Sequence, residues 1–122
     1  MKIRFKGNTI RYRLDQIDVE SVRKHGICQE KLTIGPNVLT FTLESAREGH
    51  VTLEPFSVRT GVISSEMSRL TEGPEVSLEL NLPQAGGRVL KILVEKDFKC
   101  LVPRGDEDRH GFENPLEGTS SC

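Results

Sequence analysis

Cys100 and His110 are the first residues in this sequence whose types could do chemistry, with Lys96, Lys99 and Arg104 close by. A thiol beside an imidazole or a cation can be held as thiolate, which is a nucleophile, a redox centre or a metal ligand. Cys100 and His110 are therefore a candidate thiol site. Their spacing matches no C-x-x-C, H-E-x-x-H or H-x-x-x-H pattern. Asp106 and Asp108 form a D-x-D, but the glycine and distal glutamate of a calcium loop do not follow. Gly86-Gly87 lacks the lysine and hydroxyl of a phosphate loop. No metal and no cofactor is expected, and the commoner fate of a free cysteine, a small buried hydrophobe, is the expectation for Cys100.

Charge gives a second candidate. Between Lys2 and Arg13 stand five cations, Lys2, Arg4, Lys6, Arg11 and Arg13, and no acid. Strand alternation puts them all on one side of two neighbouring strands. Like charges facing across a sheet cost a few tenths of a kcal/mol per pair, up to ~1. Something negative must lie close. It is either the protein's own acids (Asp15, Asp18, Glu20 or the tail) or an anionic ligand or partner. Phe5 and Tyr12 alternate to the opposite face, so base stacking on the cationic face is disfavoured.

The third candidate is the segment from Pro103 on. Arg104 and Arg109 stand there against Asp106, Glu107, Asp108, Glu113 and Glu117. It has no apolar periodicity, and it is expected to be an acidic, partly disordered tail over 103–122. Its acids at 106 to 108 would complement the cationic hairpin while Phe112 packs into a groove. Phe98 and either Leu101 or Val102 would plug one end of the fold.

The elements that must position these residues follow from patterning. Lys2 to Lys6 and Thr9 to Leu14 alternate strictly, with Gly7-Asn8 as the turn between them. Asp15 caps a helix over Gln16 to His25, with Ile17, Val19 and Val22 on one side and Gly26 as terminator. Lys31 to Ile34 and Val38 to Leu43 form a second hairpin. The order then recurs: Val51 to Glu54, Phe56 to Ile63, a short helix Glu66 to Thr71 capped by Ser65, Val76 to Leu80 and Val89 to Val94. The last run is apolar nearly throughout, as for a strand buried on both faces or one that seals a barrel. A shift of 48 positions brings Ile3 onto Val51, Ile10 onto Val58, Arg11 onto Arg59 and Leu14 onto Val62. The chain therefore reads as a pseudo-duplicated β-β-α-β-β unit, with halves 1–45 and 50–95 inside one domain, 1–102. Neither half can cover its own apolar face, so the pair is expected to wrap into a small closed or partly open β-barrel, mostly β, with two short helices.

Composition bounds the rest. Hydrophobic residues are 35% of the chain and charged residues 29%, with no Trp, so the core must be lean and aliphatic. The net charge of −1 argues against a strongly cationic nucleic-acid protein. No run approaches the roughly 18 apolar residues of a membrane span. The N-terminal alternation leaves no signal-peptide core, so a cytoplasmic location without membrane contact is expected. Cys28, Cys100 and Cys122, odd in number and widely spaced, fit reduced thiols.

The stretch Val58 to Val76, strand, short helix, G-x-x-V and strand, resembles the unit of AbrB-like swapped-hairpin barrels, although Ile63-Ser64 replaces their usual Ile-Pro. That resemblance implies architecture alone. The N-terminal MKIRFKGNTIRYRL and the C-terminal LKILVEKDFKCLVPR with the later ED and F-x-N-P resemble a small bacterial family of Bacteroidetes type with no assigned activity. The reading that follows is a non-enzymatic binding module. It would meet an unknown protein or anionic ligand through the cationic hairpin and the acidic segment, as a monomer or homodimer. An AbrB-like nucleic-acid-binding barrel is the second choice. A thiol- or metal-dependent enzyme centred on Cys100 is the third.

Overall fold

The computed structural model describes residues 1–98. The elements run β1 (Lys2–Lys6), β2 (Thr9–Leu14), α1 (Gln16–His25), β3 (Ile27–Ile34), β4 (Asn37–Ala46), β5 (His50–Glu54), β6 (Ser57–Ile63), α2 (Ser64–Thr71), β7 (Ser77–Pro83) and β8 (Val89–Lys96). A single turn of 3-10 helix, Ala85–Gly87, joins the last two strands. The sheets are ordered β1-β2-β8-β7 (sheet A) and β3-β4-β6-β5 (sheet B).

Each sheet takes its first hairpin from one half of the chain and its second from the other. The hairpins meet through central parallel pairs, β2 with β8 and β4 with β6. In those ladders Tyr12 is opposite Val94 and Thr60 is opposite Leu43. Tyr12 and Thr60 are separated by the 48 positions of the repeat, and their hydroxyls meet at 2.7 Å in the buried interior. The pseudo-two-fold thus passes through a hydrogen bond between equivalent residues. Two backbone bonds obey the same relation: Lys91 N–H donates to Asn8 C=O at 3.0 Å, and Thr40 N–H to Phe56 C=O at 2.9 Å.

The core lies between the sheets. It holds Ile10, Tyr12 and Leu14 from β2, Val62 from β6, Leu43 from β4, Leu80 from β7, and Ile92 and Val94 from β8, with Val22, Met67 and Leu70 from the helices. Ile10, Leu14 and Val62 share this interior as patterning required; Val58 is half-buried at its margin. No strand ladder joins β1 to β3 or β5 to β7 among the described residues, so the barrel is partly open along two seams. At the first, the Met1 ammonium group bridges Asp18 (3.0 Å) and Glu30 (2.8 Å). At the second, Gly49 sits against Leu80 and Leu82, where an added Cβ would overlap Leu80 at 2.6 Å.

Local chemistry fixes the helices. Asp15 and Asp18 form a reciprocal capping box, each side chain accepting from the other's backbone N–H at 2.8 and 3.0 Å, and Gly26 closes α1 at φ 76. Three expectations fail. Ile17 is 79% exposed, because at 100° per residue it lies far around the helix from Val19 and Val22. Ser65 does not cap α2: Ile63 holds the cap position with no side-chain bond, and Ser64 Oγ donates to the Ala46 carbonyl instead. Of the two readings of β8, burial on both faces fails: Ile92 and Val94 are inside but Lys91 is exposed, because no helix among the described residues covers the outer side of sheet A.

Removing one hydroxyl of the Tyr12–Thr60 pair strands the other in an apolar interior. Tyr12→Phe and Thr60→Val are each expected to cost about 1–2 kcal/mol, and the double variant less than their sum, in a urea-denaturation cycle. Burial works against the charge of the Met1 amine, but hydrogen bonds to Glu30 and Asp18 and their charges outweigh it and raise its pKa. A raised amine contributes stability below its unfolded pKa and loses it as pH rises through the folded value. Glu30→Gln is expected to weaken this alkaline loss of stability and to lower the amine titration followed by NMR.

Candidate binding face

The outer side of sheet A is built in rows that the strand registers fix. Lys2 stands opposite Arg13, and Arg13 opposite Glu95. Arg4 stands opposite Arg11, and Arg11 opposite Leu93. Lys6 stands opposite Thr9, and Thr9 opposite Lys91. All five cations read from the hairpin therefore do share one face. The parallel pairing with β8 adds a sixth, Lys91, which strand patterning in a supposedly doubly buried β8 concealed.

Two acids at the exit of β8 partly neutralise the face. Glu95 Oε1 accepts from Arg11 Nε at 2.6 Å. Asp97 lies 3.1 Å from Lys2 and 3.2 Å from Arg13, and its backbone N–H donates to the Leu14 carbonyl at 2.7 Å. Of the described acids named from sequence as partners, none serves here. Asp18 is engaged by the Met1 ammonium and the capping box, and Glu20 pairs with Arg23 and Lys24 along its own helix. Asp15 spends its carboxylate on the Asp18 N–H, a bond that holds its pKa below the usual value. No signal in the linear sequence marks Glu95 and Asp97 as partners, because the β2–β8 pairing that delivers them joins residues more than eighty positions apart.

The neutralisation is one-sided. Asp97 and Glu95 lie toward the Lys2 end, whereas Arg4, Lys6 and Lys91 are exposed and make no ion pair among the described residues. Glu79 of β7 lies opposite Leu93 in the Arg4 row and is bonded by Asn81 at 3.0 Å. Among the described residues, six cations thus share the face with three acids, Glu79, Glu95 and Asp97, and the excess positive charge of that set gathers at the Gly7-Asn8 turn.

Sheet B carries the equivalent ion pair without the excess. Arg59 Nη1 donates to Glu44 Oε1 at 2.5 Å, two residues along β4 from Arg59's register partner Thr42, as Glu95 is from Leu93. Both pairs join one half of the chain to the other. Beside Arg59, however, β5 contributes Thr52 and Glu54 where β1 contributes Arg4 and Lys6. The two sheets thus present similar outer faces, and among the described residues only that of sheet A carries an excess of cations.

Cys100, His110, Asp106, Glu107 and Asp108 lie outside the described residues. Cys28 does not: it is 5% exposed, with its Sγ 3.8 Å from Met1 Sδ. Burial, reinforced by the Asp18 carboxylate, pushes its thiol pKa up to about 12. Such a thiol is inert near neutral pH. In a Cys100→Ser, Cys122→Ser background, Cys28 is expected to resist a disulfide reagent at pH 8 and to react fully once the protein is denatured.

No helix among the described residues is long and apolar enough to cross a membrane. No curated protein and no solved structure matches the chain. DUF7009, a family of unknown function, matches residues 1–116 and so takes in both ends that carried the resemblance to a small family; the chain belongs to DUF7009.

Proposed function

We propose that the protein is a non-enzymatic binding module that takes an anionic partner on the outer face of sheet A. The observation that carries the reading is the cluster of Arg4, Lys6 and Lys91, exposed around the Gly7-Asn8 turn. Lys2, Arg11 and Arg13 complete the face, with their charge partly offset by Asp97 and Glu95. The strands hold the cations at fixed spacing, so a partner's negative groups meet a preorganised row rather than a flexible arm. The aromatic side chains that alternate with these cations, Phe5 and Tyr12, belong to the opposite face, so this face recognises charge and not stacked bases. A negatively charged protein surface fits it better than a nucleic acid does, and the meeting place would be the cytoplasm.

The test is a salt titration of the full chain with heparin as a generic polyanion, followed by fluorescence anisotropy. Binding should weaken steadily as salt rises. Arg4→Ala with Lys6→Ala should lower the slope of log affinity against log salt by about two, if each cation neutralises roughly one anionic group. Absence of binding at low salt, or binding that the double variant leaves unchanged, would sink the proposal.

A further inference from the structure

β1 is an edge strand: in the order β1-β2-β8-β7 its one strand neighbour among the described residues is β2. The Lys6–Thr9 pair closes the two-residue turn Gly7-Asn8, and hydrogen-bonded pairs alternate with non-bonded ones along an antiparallel ladder. Lys2, Arg4 and Lys6 therefore spend their backbone groups on β2. Ile3 and Phe5 aim theirs at the free edge, and no other described element bonds to them. Side chains alternate with the same period, so Lys2, Arg4 and Lys6 stand on the outer face and Ile3 and Phe5 on the inner one. Phe5 is 58% exposed, and its ring centroid lies 5.7 Å from that of Phe41. Leu32, the diagonal neighbour of Phe41 across the β3–β4 ladder, is 55% exposed. The edge thus offers main-chain groups, with cations on one side of them and uncovered apolar surface on the other.

We infer that β1 takes an added strand from an acidic partner, an extended segment of another protein in which acids alternate with apolar residues. The inference rests on the anionic-partner reading above and names the form that the partner takes. Strand addition joins main chain to main chain at Ile3 and Phe5 and leaves the side chains to select the sequence. Residues directly opposite each other share a face. Acids opposite Arg4 and Lys6 meet two exposed cations that make no ion pair among the described residues. The apolar residues between those acids cover Phe5 and face Leu32 across the open seam. The same charges turn away a second copy, because every in-phase antiparallel pairing of β1 with itself sets cation against cation. β5, the equivalent edge of sheet B, offers Thr52 and Glu54 beside an exposed Leu53 and so has no cation to select an acid.

The test uses the unaltered full chain and three probes: a labelled peptide of about nine residues alternating Glu with Val, a peptide of the same composition with its acids in one block, and heparin. Fluorescence anisotropy follows binding, and NMR follows amide exchange. The alternating peptide should bind at least ~tenfold more tightly than the block peptide and should slow exchange at Ile3 and Phe5. Methylating the backbone nitrogen of every second peptide residue should cost at least ~tenfold in one phase and little in the other, since only alternate N–H groups face β1. No binding of the alternating peptide, binding equal to that of the block peptide, or equal loss in both methylation phases overturns the inference, and heparin binding then leaves the anionic reading standing. Slowed exchange at Ile3 and Phe5 without any heparin binding upholds the added strand and contradicts that broader reading. Amides of Ile3 and Phe5 already protected in the free protein also overturn the inference, because another strand then holds the edge.

Discussion

Each sheet depends on a parallel strand pair contributed by the two halves of the chain. β2 cannot find β8, nor β4 find β6, until both halves are present, and the Tyr12–Thr60 hydrogen bond sits where those two ladders face each other. An antiparallel hairpin alone is marginal in water, because one of its faces and both of its edges stay unpaired. Exchange of hairpins turns four such marginal units into two four-stranded sheets around one interior. The helices fill what remains of that interior with Val22, Met67 and Leu70.

The cationic face follows from the same exchange. Arg11 and Glu95 come from opposite halves, as do Arg59 and Glu44, so both ion pairs form only when the halves interleave. Pairs of this kind contribute about 0–1 kcal/mol each and are not what holds the fold. Their role is to set the charge on each face: near balance on sheet B, an excess of cations at one end of sheet A. Arg4 and Lys6 stand in sheet A at the register positions that Thr52 and Glu54 hold in sheet B, and this difference sets the charge of the two faces apart.

Much of this was legible in the sequence because it rests on local periodicity. The alternation of Lys2 to Leu14, the Asp15 cap, the Gly26 stop and the 48-residue repeat each depend on neighbours within a dozen positions or on self-similarity. The cationic face was legible for the same reason. What the sequence concealed was tertiary. The nearly continuous apolar run of β8 fits two-sided burial in sequence, because Leu93 on the outer face is as apolar as Ile92 within; only the lack of a covering helix among the described residues decides it. Glu95 and Asp97 become partners of Arg11, Lys2 and Arg13 through a parallel ladder that no short-range pattern announces. Ile17, Val19 and Val22 are a loose apolar set and not one face: Asp18, buried beside Val22 to reach the Met1 amine, occupies the inner side.

The central claim is that neither half has a folded state of its own. Its most direct test is to produce residues 1–48 and 49–122 separately and to follow urea unfolding of each, and of their mixture, by circular dichroism. Each fragment at low concentration should show no cooperative transition, and mixing should restore one. A single half that unfolds cooperatively as a monomer would contradict the account.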